Sequence, residues 1–191
     1  GVHCWGSNSH GQINVPILNN PTLISSGFNY TCALDDGGVQ CWGDNSQGQI
    51  NIPELTNPTL VSSGNKYTCA IDDTGVVCWG DNRYRQTDVP SLSNPTHISS
   101  GNTGSCALDD TGLVCWGSGS VVTTLSNPTQ ISSGNGHRCA IDDTGMVCWG
   151  SDSYGQATAP SLSSPSQISL GYDHSCAIDD TGVVCWGRNT E

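Results

Sequence analysis

One tripeptide, Cys-Trp-Gly, recurs six times in the 191 residues, at Cys4, Cys41, Cys78, Cys115, Cys148 and Cys185, with spacings of 37, 37, 37, 33 and 37. Self-similarity at such a period marks a repeat architecture, in which each unit buries its apolar face only against its neighbours. A lone opening GVHCWG precedes five full cassettes, each reading proline, short β-prone run, Gly turn, TCAxDDTG or a variant, VVCWG or a variant, and a polar loop.

Local rules turn each cassette into three strands. Ile24, Val61, Ile98, Ile131 and Ile168 hold one apolar slot in a run opened by proline, where a missing N–H is tolerated. The TCAL or TCAI segment is the second strand and the CWG segment the third. DDGG or DDTG between them is a hairpin turn by composition, its Gly supplying a positive φ. The two cysteines of every full cassette lie nine positions apart. A hairpin folded about the turn therefore sets them opposite each other, within disulfide reach. Five bonds are predicted: Cys32–Cys41, Cys69–Cys78, Cys106–Cys115, Cys139–Cys148 and Cys176–Cys185. Zinc is the competing use of so many thiols, but there is no CxxC knuckle and no Cys/His pairing at zinc spacing. Cys4 is left unpaired. Its hairpin partner would precede Gly1, so the first cassette reads as cut short, with an intermolecular disulfide as the alternative.

Composition agrees with short strands rather than helices. The apolar share is 35%, with one Phe, one Met and 24 Gly, too little for a core of large side chains. Eleven Cys at this length imply an oxidising, extracellular setting, secreted or at the cell surface. The chain lacks an apolar run of about 18 residues, so membrane insertion is not expected. It opens on Gly1 without an export signal, which reads as a processed chain or an excerpt. Five basic against seventeen acidic residues give a net charge of -12, which argues against a nucleic-acid partner and toward a basic or neutral one. The expected organisation is a partial blade and loop over 1–20, then blades over 21–57, 58–94, 95–127 with a shortened loop, 128–164 and 165–191.

The recurring core, GxxYTCALDDGGVQCWGDNSQGQ in the first cassette, resembles the repeats of the regulator of chromosome condensation family. The likeness is greatest to the short, cysteine-containing variety of secreted and surface proteins. The resemblance covers the whole chain and implies an all-β fold, a β-propeller or an open arc of one. Members are usually seven-bladed, and five cassettes plus a fragment fall short of that. The three-stranded blades of secreted bacterial β-lactamase-inhibitor propellers are similar in length. The basic surface of a chromatin-bound exchange factor is missing, so that activity does not carry over.

Each candidate site has a plainer explanation beside it. The six tryptophans could be sugar platforms, but their recurrence beside a Cys points to packing between blades. The paired Asp residues lack the alternating spacing of a calcium loop and suit turn chemistry. His137 and His174 occupy the slot of Tyr30 and Tyr67, which asks for a ring rather than a proton shuttle. No nucleophile triad, phosphate loop or metal motif can be argued, so neither an enzyme nor a cofactor is expected. Contacts are better sought where the repeats disagree. One such zone is the turn before each TC, which includes Arg138 and Tyr172. The other is the loop after CWG, where Arg83, Tyr84 and Arg85 replace SQG and Tyr154 stands in a later copy. The partner is a protein or a glycan, or another copy of the chain. Asn29 to Thr31 forms a glycosylation sequon.

Overall fold

The computed structural model describes residues 1–119 and 124–189. Among these residues fifteen strands form five three-stranded antiparallel sheets, each in sequence order. Blade 1 contains β1 (Leu23–Ser26), β2 (Tyr30–Asp35) and β3 (Gly38–Gly43). Blade 2 contains β4 (Leu60–Ser63), β5 (Tyr67–Asp72) and β6 (Gly75–Gly80). Blade 3 contains β7 (His97–Ser100), β8 (Gly104–Asp109) and β9 (Gly112–Gly117). Blade 4 contains β10 (Gln130–Ser133), β11 (His137–Asp142) and β12 (Gly145–Gly150). Blade 5 contains β13 (Gln167–Leu170), β14 (His174–Asp179) and β15 (Gly182–Gly187).

The hairpin between second and third strands sets the register. In blade 2, Asp72 pairs with Gly75 across the turn, and Gly75 takes a φ of 118° that a side chain would resist. Asp72 Oδ1 accepts the N–H of Thr74 at 2.8 Å and its hydroxyl at 2.7 Å, while Oδ2 accepts the N–H of Thr56 at 2.8 Å. Asp73 takes the side-chain amide of Asn57 at 2.6 Å. The acidic pair thus closes its own turn and grips the chain arriving from the previous blade. Burial pushes the Asp72 carboxyl up, but these donors outweigh it and hold the group below the usual carboxylate range.

With this register each cysteine pair falls opposite, and all five predicted disulfides are present with Cα atoms 4.0 to 4.1 Å apart. Cys4 is free and partly exposed. Ring closure of such a short loop contributes about 2.5 to 3 kcal/mol in the chain-entropy account, a useful addition to a core of small side chains.

The first strands lie side by side around an axis and the third strands lie outermost. Serines stitch the inner row: the N–H of Ser63 reaches Ser25 Oγ at 2.8 Å, Ser100 reaches Ser62 at 2.8 Å, Ser133 reaches Ser99 at 2.9 Å, and Leu170 reaches Ser132 at 3.1 Å. A second tie comes from tryptophan. Trp42, Trp79, Trp116 and Trp186 each donate Nε1–H to the carbonyl of a Gln 30 residues earlier, Gln12, Gln49, Gln86 and Gln156, at 2.9 to 3.0 Å. The loop after CWG is thereby wedged against the next blade. Trp5, in the partial first cassette, is 86% exposed.

The arc is open. Ile178 and Val183 of blade 5 are 38% and 71% exposed, whereas Ile71, which occupies the Ile178 position in blade 2, is 6% exposed. Ile24 of blade 1 is 46% exposed where Val61 of blade 2 is 4%. Each end of the array therefore shows the face that interior blades bury against a neighbour.

Candidate functional site: one rim and the mouth of the central channel

Both variable zones emerge at the same end of every blade, because the start of the second strand and the end of the third are neighbours in the hairpin. The backbone records this directly: Asp44 N–H donates to Asn29 O at 2.8 Å, Asp81 to Lys66 O at 2.9 Å, Ser151 to Gly136 O at 2.8 Å and Arg188 to Asp173 O at 2.9 Å. The acidic hairpin turns lie at the opposite end.

The turn before each second strand is closed by a bond from Gly to the residue three later, as in Gly64 N–H to Tyr67 O at 2.9 Å. The Tyr67 ring folds over this glycine so closely that a Cβ on Gly64 would stand 2.3 Å from it. The ring then crosses the seam, its hydroxyl meeting Gly104 O and Ser105 Oγ at 2.9 Å each. Burial pushes the Tyr67 hydroxyl up to about 12, and it raises Tyr30, set in the same way between blades 1 and 2, well above the usual tyrosine value. His137 fills this slot between blades 4 and 5 and meets Ser175 Oγ at 3.0 Å. Tyr30, Tyr67 and His137 thus pack across seams, whereas His174, in the same slot of blade 5, is exposed.

The residue after each glycine, Phe28, Asn65, Asn102, Asn135 and Tyr172, points the repeats at a common cavity of about 250 Å³ on the axis. Backbone links carry the turns around it: Phe28 N–H reaches Gly64 O at 3.3 Å, Asn65 reaches Gly101 O at 3.2 Å and Asn102 reaches Gly134 O at 3.3 Å. Side-chain amides repeat the pattern, with Asn65 Nδ2 donating to Asn102 Oδ1 and Asn102 Nδ2 to Asn135 Oδ1. Phe28 and Tyr172, at the two ends of this row, are 51% and 61% exposed.

Outside the mouth stand the other singled-out residues. Arg83 clamps Asp81, with Nε 3.0 Å from Oδ1 and Nη2 2.8 Å from Oδ2, and the Arg83 bond lowers the Asp81 carboxyl. In blade 1 the equivalent Asp44 instead accepts Gln49 Nε2 at 3.0 Å, and in blade 2 the matching Gln86 Nε2 is buried with no partner among the described residues. Arg85 sits at φ 61°, in the slot of Gly11, Gly48 and Gly155. Tyr84 and Tyr154 are exposed, and the Arg188 guanidinium lies 4.9 Å from the Tyr154 ring centre while ion-pairing Asp173 at 3.2 Å.

Arg138, expected among the contact residues, is placed elsewhere. It is 5% exposed, inside the seam between blades 3 and 4, where its guanidinium donates to the carbonyls of Gly119 and Ser118. The cause is its neighbour. Gly104 stands where Tyr30, Tyr67 and His137 put a ring, and a Cβ there would meet Arg138 Nη2 at 2.8 Å. The arginine fills the space the missing ring leaves.

The charge is also divided unevenly. Ten of the carboxylates, Asp35 and Asp36 through Asp179 and Asp180, are in the turns of the opposite rim. The loop rim has Asp44, Asp81, Asp88, Asp152 and Asp173 set against Lys66, Arg83, Arg85 and Arg188. The net charge of the whole chain therefore misdescribes this end, which is close to neutral. The mouth itself is lined by Ser, Gly, Asn, Phe, Leu and Tyr, with no charged side chain among the described residues. Those residues also hold no cluster of His, Cys, Asp and Glu arranged for a metal ion.

Five three-stranded blades whose first strands converge on one axis define a β-propeller repeat protein in the form of an open arc. The model of the regulator of chromosome condensation (RCC1) repeat matches residues 22–49, 59–86, 129–156 and 166–191, more than half of the sequence, and the chain belongs to that family. The cassette it passes over is that of blade 3, with Gly104 in the ring slot and the shortened loop behind it. Among solved structures, the entire ectodomain of the receptor kinase CR4 from Physcomitrella patens aligns at a TM-score of 0.76 and 23% identity, over 90% of this chain and 55% of that one. The WD40 ectodomain of the receptor kinase ACR4 from Arabidopsis thaliana aligns at 0.78 and 22%, over 98% and 74%. Yeast RCC1 (Prp20), solved bound to Kap60, aligns at 0.68 and 18%, over 83% and 54%. These likenesses show the fold. A comparison with curated protein sequences gives no match. No helix among the described residues is long and apolar enough to cross a membrane.

Proposed function

We propose that this protein is a non-catalytic, extracellular binding propeller that engages a macromolecular partner through the loops of one rim. The observation that carries the reading is the gathering of both variable zones at one end, around a mouth to which all five blades contribute a differing residue. The opposite end is occupied by turns whose carboxylates are already engaged by their own chain. Five disulfides fit an oxidising medium. Receptor ectodomains among the structural neighbours fit such a setting as well. Arg83, Tyr84, Arg85, Tyr154 and Tyr172 are the proposed contact residues, since exposed aromatic and Arg side chains dominate binding energy at interfaces. Arg138 contributes by shaping the seam beneath them.

The test is binding of the oxidised protein to surface and secreted fractions of its source. A Tyr84→Ala/Tyr172→Ala variant is expected to lose at least about 2 kcal/mol of affinity, while Asp36→Asn/Asp110→Asn on the far rim leaves it unchanged. Equal losses from both variants, or from neither, would overturn the reading.

The uncovered end faces favour a second reading, a subunit that stacks head to tail, because Ile178 and Val183 at one end and Ile24 at the other are exposed where interior blades bury the same positions wholly or in part. Light scattering separates the two. A monomer across the concentration range removes the stacking subunit, and concentration-dependent polymers remove the solitary binder.

A further inference from the structure

We infer that the cavity at the channel mouth binds an uncharged sugar ring, an inference that rests on the reading of this rim as the binding face. The lining sets the ligand class first. In a chain of net charge -12, every residue around this cavity is uncharged, so nothing there would reward a charged ligand.

The polar groups present are amides already ordered in a row. Asn102 accepts from Asn65 and donates to Asn135, which fixes its orientation and leaves one N–H and one carbonyl lone pair for a ligand. Asn65 keeps its carbonyl and Asn135 its amino group at the ends of the row. Such a chain polarises along its length, which strengthens the bonds still available at its termini. Sugar hydroxyls, each donor and acceptor at once, match that mixture.

Phe28 and Tyr172 complete the site from the first and last blades. Both are more than half exposed, so each offers a ring face on which the C–H face of a sugar can lie. A volume of about 250 Å³ is small beside the roughly 300 to 1,000 Å³ of pockets for drug-sized ligands. It suits a terminal ring presented end-on rather than an extended peptide.

The test titrates the oxidised chain with neutral tetrasaccharides of glucose, mannose, galactose and N-acetylglucosamine, and with a sulfated tetrasaccharide, followed by calorimetry and saturation-transfer NMR. At least one neutral probe is expected to bind in preference to the sulfated one. Tyr172→Ala, at an exposed position that leaves the thermal midpoint unchanged, weakens it roughly tenfold, as does Asn102→Ala. Tyr84→Ala, outside the mouth, leaves it within about twofold. Absence of neutral binding, preference for the sulfated probe, or indifference to both mouth substitutions overturns the inference. Loss of the macromolecular partner in Tyr172→Ala with no sugar bound would sink the sugar site and keep the rim reading. Loss of neither partner nor sugar on altering the rim would sink both.

Discussion

The seam between blades 2 and 3 and the seam between blades 3 and 4 solve one packing problem with different chemistry. At the first, Tyr67 crosses to Gly104 and Ser105, and Trp116 donates to the Gln86 carbonyl at 2.9 Å. At the second, Gly104 sends no ring across, Arg138 reaches back into the gap, and the buried Trp149 Nε1 has no partner among the described residues. Four residues are missing from the preceding loop, the segment from which the Gln carbonyl is supplied elsewhere. The ring seam buries no arginine, although Gln86 Nε2 and Ser100 Oγ are buried there with no partner among the described residues. The arginine seam encloses a charge whose burial lowers the guanidinium pKa and whose Nε has no partner among the described residues. Equivalent geometry therefore does not imply equivalent strength, because taking a charge out of water gives back much of what its packing contributes.

The largest expected effect comes from breaking the better seam. Tyr67→Ala removes a fully buried ring and should cost about 3 to 5 kcal/mol in urea unfolding. Arg138→Ser, which restores the residue type of the other copies, should cost only about 1 to 2 kcal/mol, because lost packing is offset by release of the buried charge. Equal costs would show that the two seams are alike after all.

A third seam sharpens the comparison through pH. His137, between blades 4 and 5, is fully buried, and desolvation lowers its pKa from the ordinary 6.5. The unfolded chain then binds the proton more readily than the folded one. Its contribution to stability is complete above pH 6.5 and falls as the pH drops below that value toward the folded pKa. Ser175, Asp173, His174 and Asp152 face or influence the ring. Thermal midpoints from pH 7.5 to 5 should fall more steeply in the natural protein than in His137→Tyr, which installs the ring used in blades 1 and 2. The smallest effect belongs to the rim loop. Arg85→Gly relieves a side chain at φ 61° and should raise stability by up to about 1 kcal/mol in the same unfolding assay.

Much of the scaffold was legible because its rules are local. The nine-residue Cys spacing, the Asp-Asp turn and the Gly at positive φ each specify the same hairpin, and the five bonds follow from the register alone. Arg138 was misplaced because its orientation depends on the preceding blade. A signal was present in the string: Gly104 in the ring slot and, one cassette on, Arg138 where other copies have Ser or Thr. A loss and a gain in adjacent copies describe one filled space. The polarity of the two rims was hidden for a different reason. Net charge sums over the chain, whereas the hairpin topology sends the Asp pairs to one end and the Lys and Arg residues to the other.

That segregation makes the molecule a dipole along its axis. Within about 8 Å of an anionic cell surface or extracellular polymer, the reach of a charge at physiological salt, the carboxylate turns are repelled more strongly than the loop end. The protein then approaches such a surface with its mouth foremost, presenting the amide row and its flanking rings before any specific contact has formed.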